Sequence, residues 1–352
     1  MKKLFIRILS IIITVSLVLV STALPVFAKG MPVEIKSEAA ILIDVNTGRV
    51  LAAQQEHKRV YPASVTKIMS LLLVAEAIDA GRIQFDTEVT ASHDACAALA
   101  ELVAGSETAF VQMMNDRAAE LSMKDTYFEN CTGLDDDTEK HLTSAYDIAI
   151  MSRELLKHKW VTRYSTVWMD TLRDGATELT NTNKLVRFYE GTTGLKTGTT
   201  SKAGSCLSAS AERNGTHLLA VVMGAPTSDV RFADAKALLN WGFANYTAVR
   251  LAVDPSLVVP VNVRHSTVKS VMPEICGEKK ALVEQKYKDG IEQKITLPVD
   301  VEAPVSKKQV LGKVEFFANN ELIGTVNLVS PIEIVEISFF DAVISFLGSL
   351  SK

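Results

Sequence analysis

The stretch Tyr61-Pro62-Ala63-Ser64-Val65-Thr66-Lys67-Ile68-Met69-Ser70, running on into Leu71-Leu72-Leu73-Val74, constrains this chain more than any other. Pro62 stands where a helix can begin without losing a hydrogen bond and Gly81 where one can end, so the spacing predicts a helix with Ser64 and Lys67 in its first turns. Residues three apart share a helical face. The amine of Lys67 can therefore reach back to the hydroxyl of Ser64, and apolar crowding would lower its pKa toward the neutral, proton-accepting form. That arrangement makes Ser64 a nucleophile. Spacing alone does not establish it, because Ser-x-x-Lys recurs at Ser266–Lys269 and Ser349–Lys352, where nothing else suggests chemistry.

A chain of 352 residues, 47% of them hydrophobic, can bury a large core and suits two domains. A net charge of −4 supplies no electrostatic reason to expect a nucleic-acid partner. Lys2, Lys3 and Arg7 precede the apolar run Ile8–Val20, and Val26-Phe27-Ala28 offers the compact residues a signal peptidase reads, so residues 1–28 are expected to be a signal peptide. The apolar run is short for a membrane span, which needs about 20 residues; a retained N-terminal anchor is the alternative. Either way the bulk of the chain lies outside the cytoplasm. Cys96, Cys131, Cys206 and Cys276 are too dispersed for a metal cluster, and in an exported protein they could pair in three ways or stay as free buried thiols.

Ala39–Val45, Asn46-Thr47-Gly48 and Arg49–Ala52 read as a β-hairpin. Ala95–Val103 and Glu107–Leu121 carry helical patterns, and Ser144 begins another helix with Asp147 as its capping-box partner. Helices interrupt the strands rather than alternating with them, which favours an α+β domain with an antiparallel sheet and a helical subdomain. A second informative stretch is Gly191-Thr192-Thr193-Gly194-Leu195-Lys196-Thr197-Gly198-Thr199-Thr200, followed by Ala203–Ala211, an Arg213-Asn214-Gly215 turn and Leu218–Met223, a hairpin of adjacent strands. Lys-Thr-Gly at a strand edge presents a cation, a hydroxyl and open backbone, groups suited to a carboxylate, with Gly198 admitting a ligand closely. An ordinary glycine-rich turn is the competing interpretation of that stretch taken alone.

Ser-x-x-Lys and Lys-Thr-Gly in one chain are part of the signature of penicillin-binding proteins and class A β-lactamases. Asp44-Val45-Asn46-Thr47-Gly48, Pro62–Lys67, Asn181-Thr182-Asn183-Lys184-Leu185, Gly194–Gly198, Gly224-Ala225-Pro226-Thr227-Ser228 and Arg231-Phe232 further resemble the low-molecular-mass D-alanyl-D-alanine carboxypeptidases of the penicillin-binding protein 5 type, over most of residues 34–250. The resemblance implies a β-lactamase/transpeptidase-like fold and serine acyl transfer on peptidoglycan stem peptides. Ser64 would attack the bond between the terminal D-alanines and Lys67 would accept its proton. Backbone N–H groups of Ser64 and Thr199 would hold the oxyanion, and Lys196 and Thr197 the terminal carboxylate, with Gly198 beside them. It also implies β-lactam antibiotics as covalent inhibitors and no metal or organic cofactor.

The chain departs from the pattern at one place. Family members carry a block of helices ending in Ser-x-Asn; here Ala91-Ser92-His93 runs straight into Asp94-Ala95-Cys96, so the chain is roughly thirty to forty residues short of the signature and lacks its middle motif. Ser92 is the candidate for the missing hydroxyl, with His93 in the place of the asparagine. Losing such groups costs transition-state stabilisation, about 3–4 kcal/mol for a single oxyanion donor. A catalytically impaired relative that still binds stem peptides or penicillin is therefore the alternative function, and a β-lactamase a further one. Asp135-Asp136-Asp137 is expected to be a solvated loop rather than a metal site.

From about residue 250 short β-rich runs, Leu257–Arg264, Ile295–Val301 and Val310–Phe317, predict a small all-β domain over 250–331 that follows a peptidase domain over 34–249. Phe339, Phe340, Val343, Phe346, Leu347 and Leu350 fall on one face of a helical projection, so 332–352 is expected to be an amphipathic helix at a membrane surface, on the outer face of the cytoplasmic membrane.

Overall fold

The computed structural model describes residues 31–89, 94–172, 174–277 and 279–338. β1 (Ala39–Asp44) and β2 (Val50–Gln54) form the expected hairpin, its turn fastened by the Asp44 carboxylate, which accepts from Thr47 N (2.9 Å) and Thr47 Oγ1 (2.6 Å). Next come a 3₁₀ turn at Ala63–Thr66 and the helices α1 (Lys67–Asp79), α2 (Ala95–Ala104), α3 (Glu107–Glu120), α4 (Ala145–Leu155) and α5 (Trp160–Ser165). A small hairpin, β3 (Met169–Leu172) with β4 (Thr177–Thr180), leads through α6 (Leu185–Phe188) into β5 (Thr192–Thr200), β6 (Gly204–Arg213) and β7 (Thr216–Ala225). α7 (Ser228–Asn245) completes the unit.

The five-stranded sheet is antiparallel, in the order β2-β1-β7-β6-β5. Its inner strands β1 and β7 read as long apolar runs because both of their faces are covered. Ala39, Ile41 and Ile43 of β1 with Leu219, Val221 and Met223 of β7 face α1 to α5. Ala40, Leu42, Leu218, Ala220 and Val222 face α7 and Leu185 of α6. β5 is left as an edge, which keeps one side of the Lys-Thr-Gly strand open.

Helix starts follow their caps. Asp94 accepts from Cys96 N, Ser106 from Ala109 N and Ser144 from Asp147 N. The Ser144 capping box is only half formed: the Asp147 carboxylate accepts instead from Asp125 N (2.8 Å) and Thr126 Oγ1 (2.7 Å), clipping the loop after α3 onto α4.

The second domain is all-β, with β8 (Tyr246–Leu251), β9 (Val261–Arg264), β10 (Ser270–Val271), β11 (Glu274–Cys276), β12 (Lys279–Glu284), β13 (Ile291–Thr296), β14 (Asp300–Glu302), β15 (Val310–Ala318) and β16 (Glu321–Val329). They pair as β10-β9-β14, β11-β16-β15-β13 and β12-β8. β8 follows α7 directly and pairs along its length with β12, so a boundary at 249/250 falls inside a strand. The expected run 295–301 is split at Pro298 between β13 and β14. The helix expected from residue 332 does not begin there: Ile334 pairs its backbone with Val305 and is 1% exposed in a core with Val261, Val263 and Leu311. Residues 339–352 and the expected signal peptide lie outside the described residues. Among those described, no helix is long and apolar enough to cross a membrane.

Candidate active site

Ser64 sits in the 3₁₀ turn, three residues before α1 begins at Lys67. The turn is held in an unusual shape, since Ala63 has φ +49°, a region costly for a residue with a Cβ. Two glycines make room for it. A Cβ on Gly133 (φ +85°) would lie 1.9 Å from the Ala63 carbonyl oxygen, and one on Gly198 would lie 2.9 Å from Ser64 N and from the Ala63 Cβ. Strand β5 therefore passes directly against the serine turn, the convergence that Ser-x-x-Lys and Lys-Thr-Gly predict. Gly198 serves a different purpose from the one expected: the space its missing side chain leaves is filled by Pro62–Ser64, not kept for a ligand.

Lys67 Nζ donates to Asp94 Oδ2 at 2.7 Å. The apolar crowding expected around this amine is thus replaced on one side by a carboxylate. Asp94 also caps α2 and is held below the usual carboxylate range, chiefly by its hydrogen bond from Lys67. Lys196 lies across the same cleft. Burial, then the charges of Lys67 and Arg231, push its ammonium down to about 8, and its Nζ donates to the Thr197 carbonyl at 2.6 Å.

Arg231, 6% exposed on α7, donates through Nη1 to the Gly198 carbonyl and to Thr199 Oγ1, both at 2.9 Å. Thr197 Oγ1 meets Thr182 Oγ1 at 2.6 Å, and Asn183 Nδ2 donates to the Gly194 carbonyl. The segment Asn181–Asn183 is thereby stapled along the Lys-Thr-Gly strand.

A buttressing loop, 130–138, ties strand to turn. Gly133 abuts Ala63; Asp135 accepts from Thr200 Oγ1; Lys202 Nζ donates to the Asp135 carbonyl; and Ser70 Oγ donates to the Cys131 carbonyl (2.7 Å). Asp135 is buried, unlike Asp136 and Asp137, so the acidic run is a solvated loop only in its last two members. His141, fully buried, accepts from Glu129 N at Nδ1 and so donates from Nε2 to Thr66 Oγ1 (2.9 Å). Burial pushes its pKa down to about 4.

Ser64, Lys67, Lys196, Thr197, Gly198 and Thr199 are brought together; Ser92 and His93 lie outside the described residues. Asp94, Arg231, Thr182, Gly133 and His141 were not singled out by sequence. Thr182 and Arg231 stood within the Asn181–Leu185 and Arg231-Phe232 phrases that carried the resemblance; nothing in the sequence assigned a role to the other three. The Ser-x-x-Lys spacing at Ser266 carries no site, because Ser266 Oγ is a turn acceptor for Val268 N in the second domain. All four cysteines are free thiols. Among the described residues no group of three His, Cys, Asp or Glu side chains is placed to hold a metal.

Comparison with known proteins agrees with this geometry. The D-alanyl-D-alanine carboxypeptidase family model matches residues 26–95 and 89–227, in two pieces that meet where the sequence runs short, and the C-terminal domain model of penicillin-binding protein 5 matches residues 264–336. The chain is 32% identical over 355 residues to D-alanyl-D-alanine carboxypeptidase DacF of Bacillus subtilis, covering 90% of each chain. The structure of penicillin-binding protein 5 from Haemophilus influenzae superposes with a TM-score of 0.72 at 26% identity, covering 87% of this chain and 99% of that one. The ampicillin-bound penicillin-binding protein D2 of Listeria monocytogenes does so with a TM-score of 0.55 at 27% identity, over 60% of this chain and 99% of that one. With a serine turn, a lysine one helical turn on and an edge Lys-Thr-Gly strand closed around one cleft, the chain belongs to the D-alanyl-D-alanine carboxypeptidase family.

Proposed function

We propose that the protein is a serine-type D-alanyl-D-alanine carboxypeptidase that trims peptidoglycan pentapeptide stems. The observation that carries this is the contact of Gly198 with the Ser64 turn, which sets nucleophile, amine and anion-binding strand around one cleft. Ser64 Oγ attacks the carbonyl between the terminal D-alanines, its proton passes to Lys67, and the N–H groups of Ser64 and Thr199 stabilise the oxyanion. The peptide C–N bond breaks, the leaving amine takes the proton, and D-alanine departs. Water then hydrolyses the ester on Ser64. Lys196 and Thr197, backed by the positive charge of Arg231, bind the terminal carboxylate. Asp94 fixes the head of Lys67 within the cleft.

β-Lactams, which carry a carboxylate beside an acylating carbonyl, acylate the same serine. The basic start with its apolar run supports export, and the apolar face of 339–350 supports a peripheral place on the outer face of the cytoplasmic membrane. The impaired-relative reading rests on the Ser-x-Asn motif that is missing between Lys67 and Lys196. Incubation with a pentapeptide ending in D-Ala-D-Ala decides: free D-alanine, lost in Ser64→Ala, supports the enzyme, whereas penicillin acylation without peptide turnover supports the impaired relative.

A further inference from the structure

We propose that the site accepts a large apolar D-amino acid in the terminal, leaving position, with its side chain entering a cavity between α1 and α2. This deepens the function proposed above and rests on it. The cavity, about 260 Å³, has Leu71 and Val74 of α1, Leu99 of α2 and Phe110 of α3 in its wall, together with Lys67 and Lys196. It is therefore continuous with the cleft that holds the reacting groups.

Lys196, assigned above to the terminal carboxylate, is itself in the cavity wall, so the Cα one bond from that carboxylate would lie beside the cavity and its side chain would have apolar space to enter. A methyl group leaves most of that space unfilled. An apolar cavity of about 150 Å³ already admits benzene, so a leucine side chain is well within the volume here. The wall formed by α2 starts at Asp94, where the family model breaks between its two matched pieces and where the chain is short. Each further carbon buried is worth roughly fourfold in affinity, and leucine adds three to alanine.

The reaction is unchanged: the amide bond is hydrolysed, the acyl group passes through Ser64 to water, and D-leucine leaves with its amine protonated. The test measures equilibrium binding of two stem pentapeptides, ending in D-Ala-D-Ala and D-Ala-D-Leu, to the full chain carrying Ser64→Ala. The same pair is measured in that background with Leu99→Gln and, separately, Leu71→Gln. Both leucines are half-buried, and unchanged binding of the D-Ala-D-Ala peptide reports that the fold is kept. The expected result is at least tenfold tighter binding of the D-Leu peptide, lost in both glutamine variants. Equal or weaker binding of the D-Leu peptide, or a preference that survives both substitutions, overturns the proposal. Failure of the underlying function is read separately, as no release of D-alanine from the D-Ala-D-Ala peptide by the unsubstituted protein.

Discussion

Lys196 keeps its charge on a narrow margin. With its ammonium pushed down to about 8 by burial and two neighbouring cations, it is charged below that pH and neutral above it. The free enzyme should therefore bind an anionic peptide less well above pH 8, with KM rising and kcat changing less; a pH profile on the pentapeptide checks this. His141 works in the opposite range. An unfolded histidine titrates near 6.5 but this one is held down to about 4, so between those values only the unfolded chain takes up the proton. Its contribution is complete above about 6.5 and is lost as pH falls toward 4, on the order of 1.4 kcal/mol per unit. Urea unfolding at pH 7 and pH 5 should differ by about 2 kcal/mol from this group, and His141→Gln should flatten the difference. Asp94 is exposed enough that its ion pair adds little to stability. Asp94→Asn should lower kcat/KM by about tenfold or more with the unfolding midpoint nearly unmoved, because it frees the head of Lys67 without opening a core.

At the level of elements, the site depends on a strand and a turn pressed together without side chains between them. Gly133→Ala puts a Cβ into the Ala63 carbonyl at a left-handed φ. It should destabilise the fold by about 2 kcal/mol or more and slow penicillin acylation, which thermal unfolding and a fluorescent penicillin would measure. Much of this layer was legible in advance. The 39–54 hairpin, the helices from Ala95 and Glu107 and the pair of strands around Asn214-Gly215 followed from period and turn chemistry, which are local. What escaped was set by distant contacts. The Asp147 carboxylate leaves its half of the capping box for Asp125 and Thr126, Asp135 is buried where Thr200 and Lys202 reach it, and Gly133 matters only because residue 63 folds back onto it. No window of neighbouring residues contains that information. The Lys67–Asp94 pair escaped for the same reason, 27 positions separating its partners.

Across the whole molecule, the peptidase unit hands its chain to the β domain through β8, which leaves α7 and at once pairs with β12. The second domain continues through Ile334, so its end lies later than the loss of strand pattern at 331 suggested. None of the side chains assembled around Ser64 comes from it. Removing 339–352 should leave hydrolysis of a soluble pentapeptide within about twofold while releasing the protein from a membrane pellet, as expected when anchoring and chemistry are separate. The central claim, that the cleft makes an acylating nucleophile of one serine, is tested most directly by mass spectrometry of the full chain after incubation with benzylpenicillin. One covalent adduct on the peptide containing Ser64, absent from Ser64→Ala, is the predicted result; no adduct, or one that persists in Ser64→Ala, would contradict it.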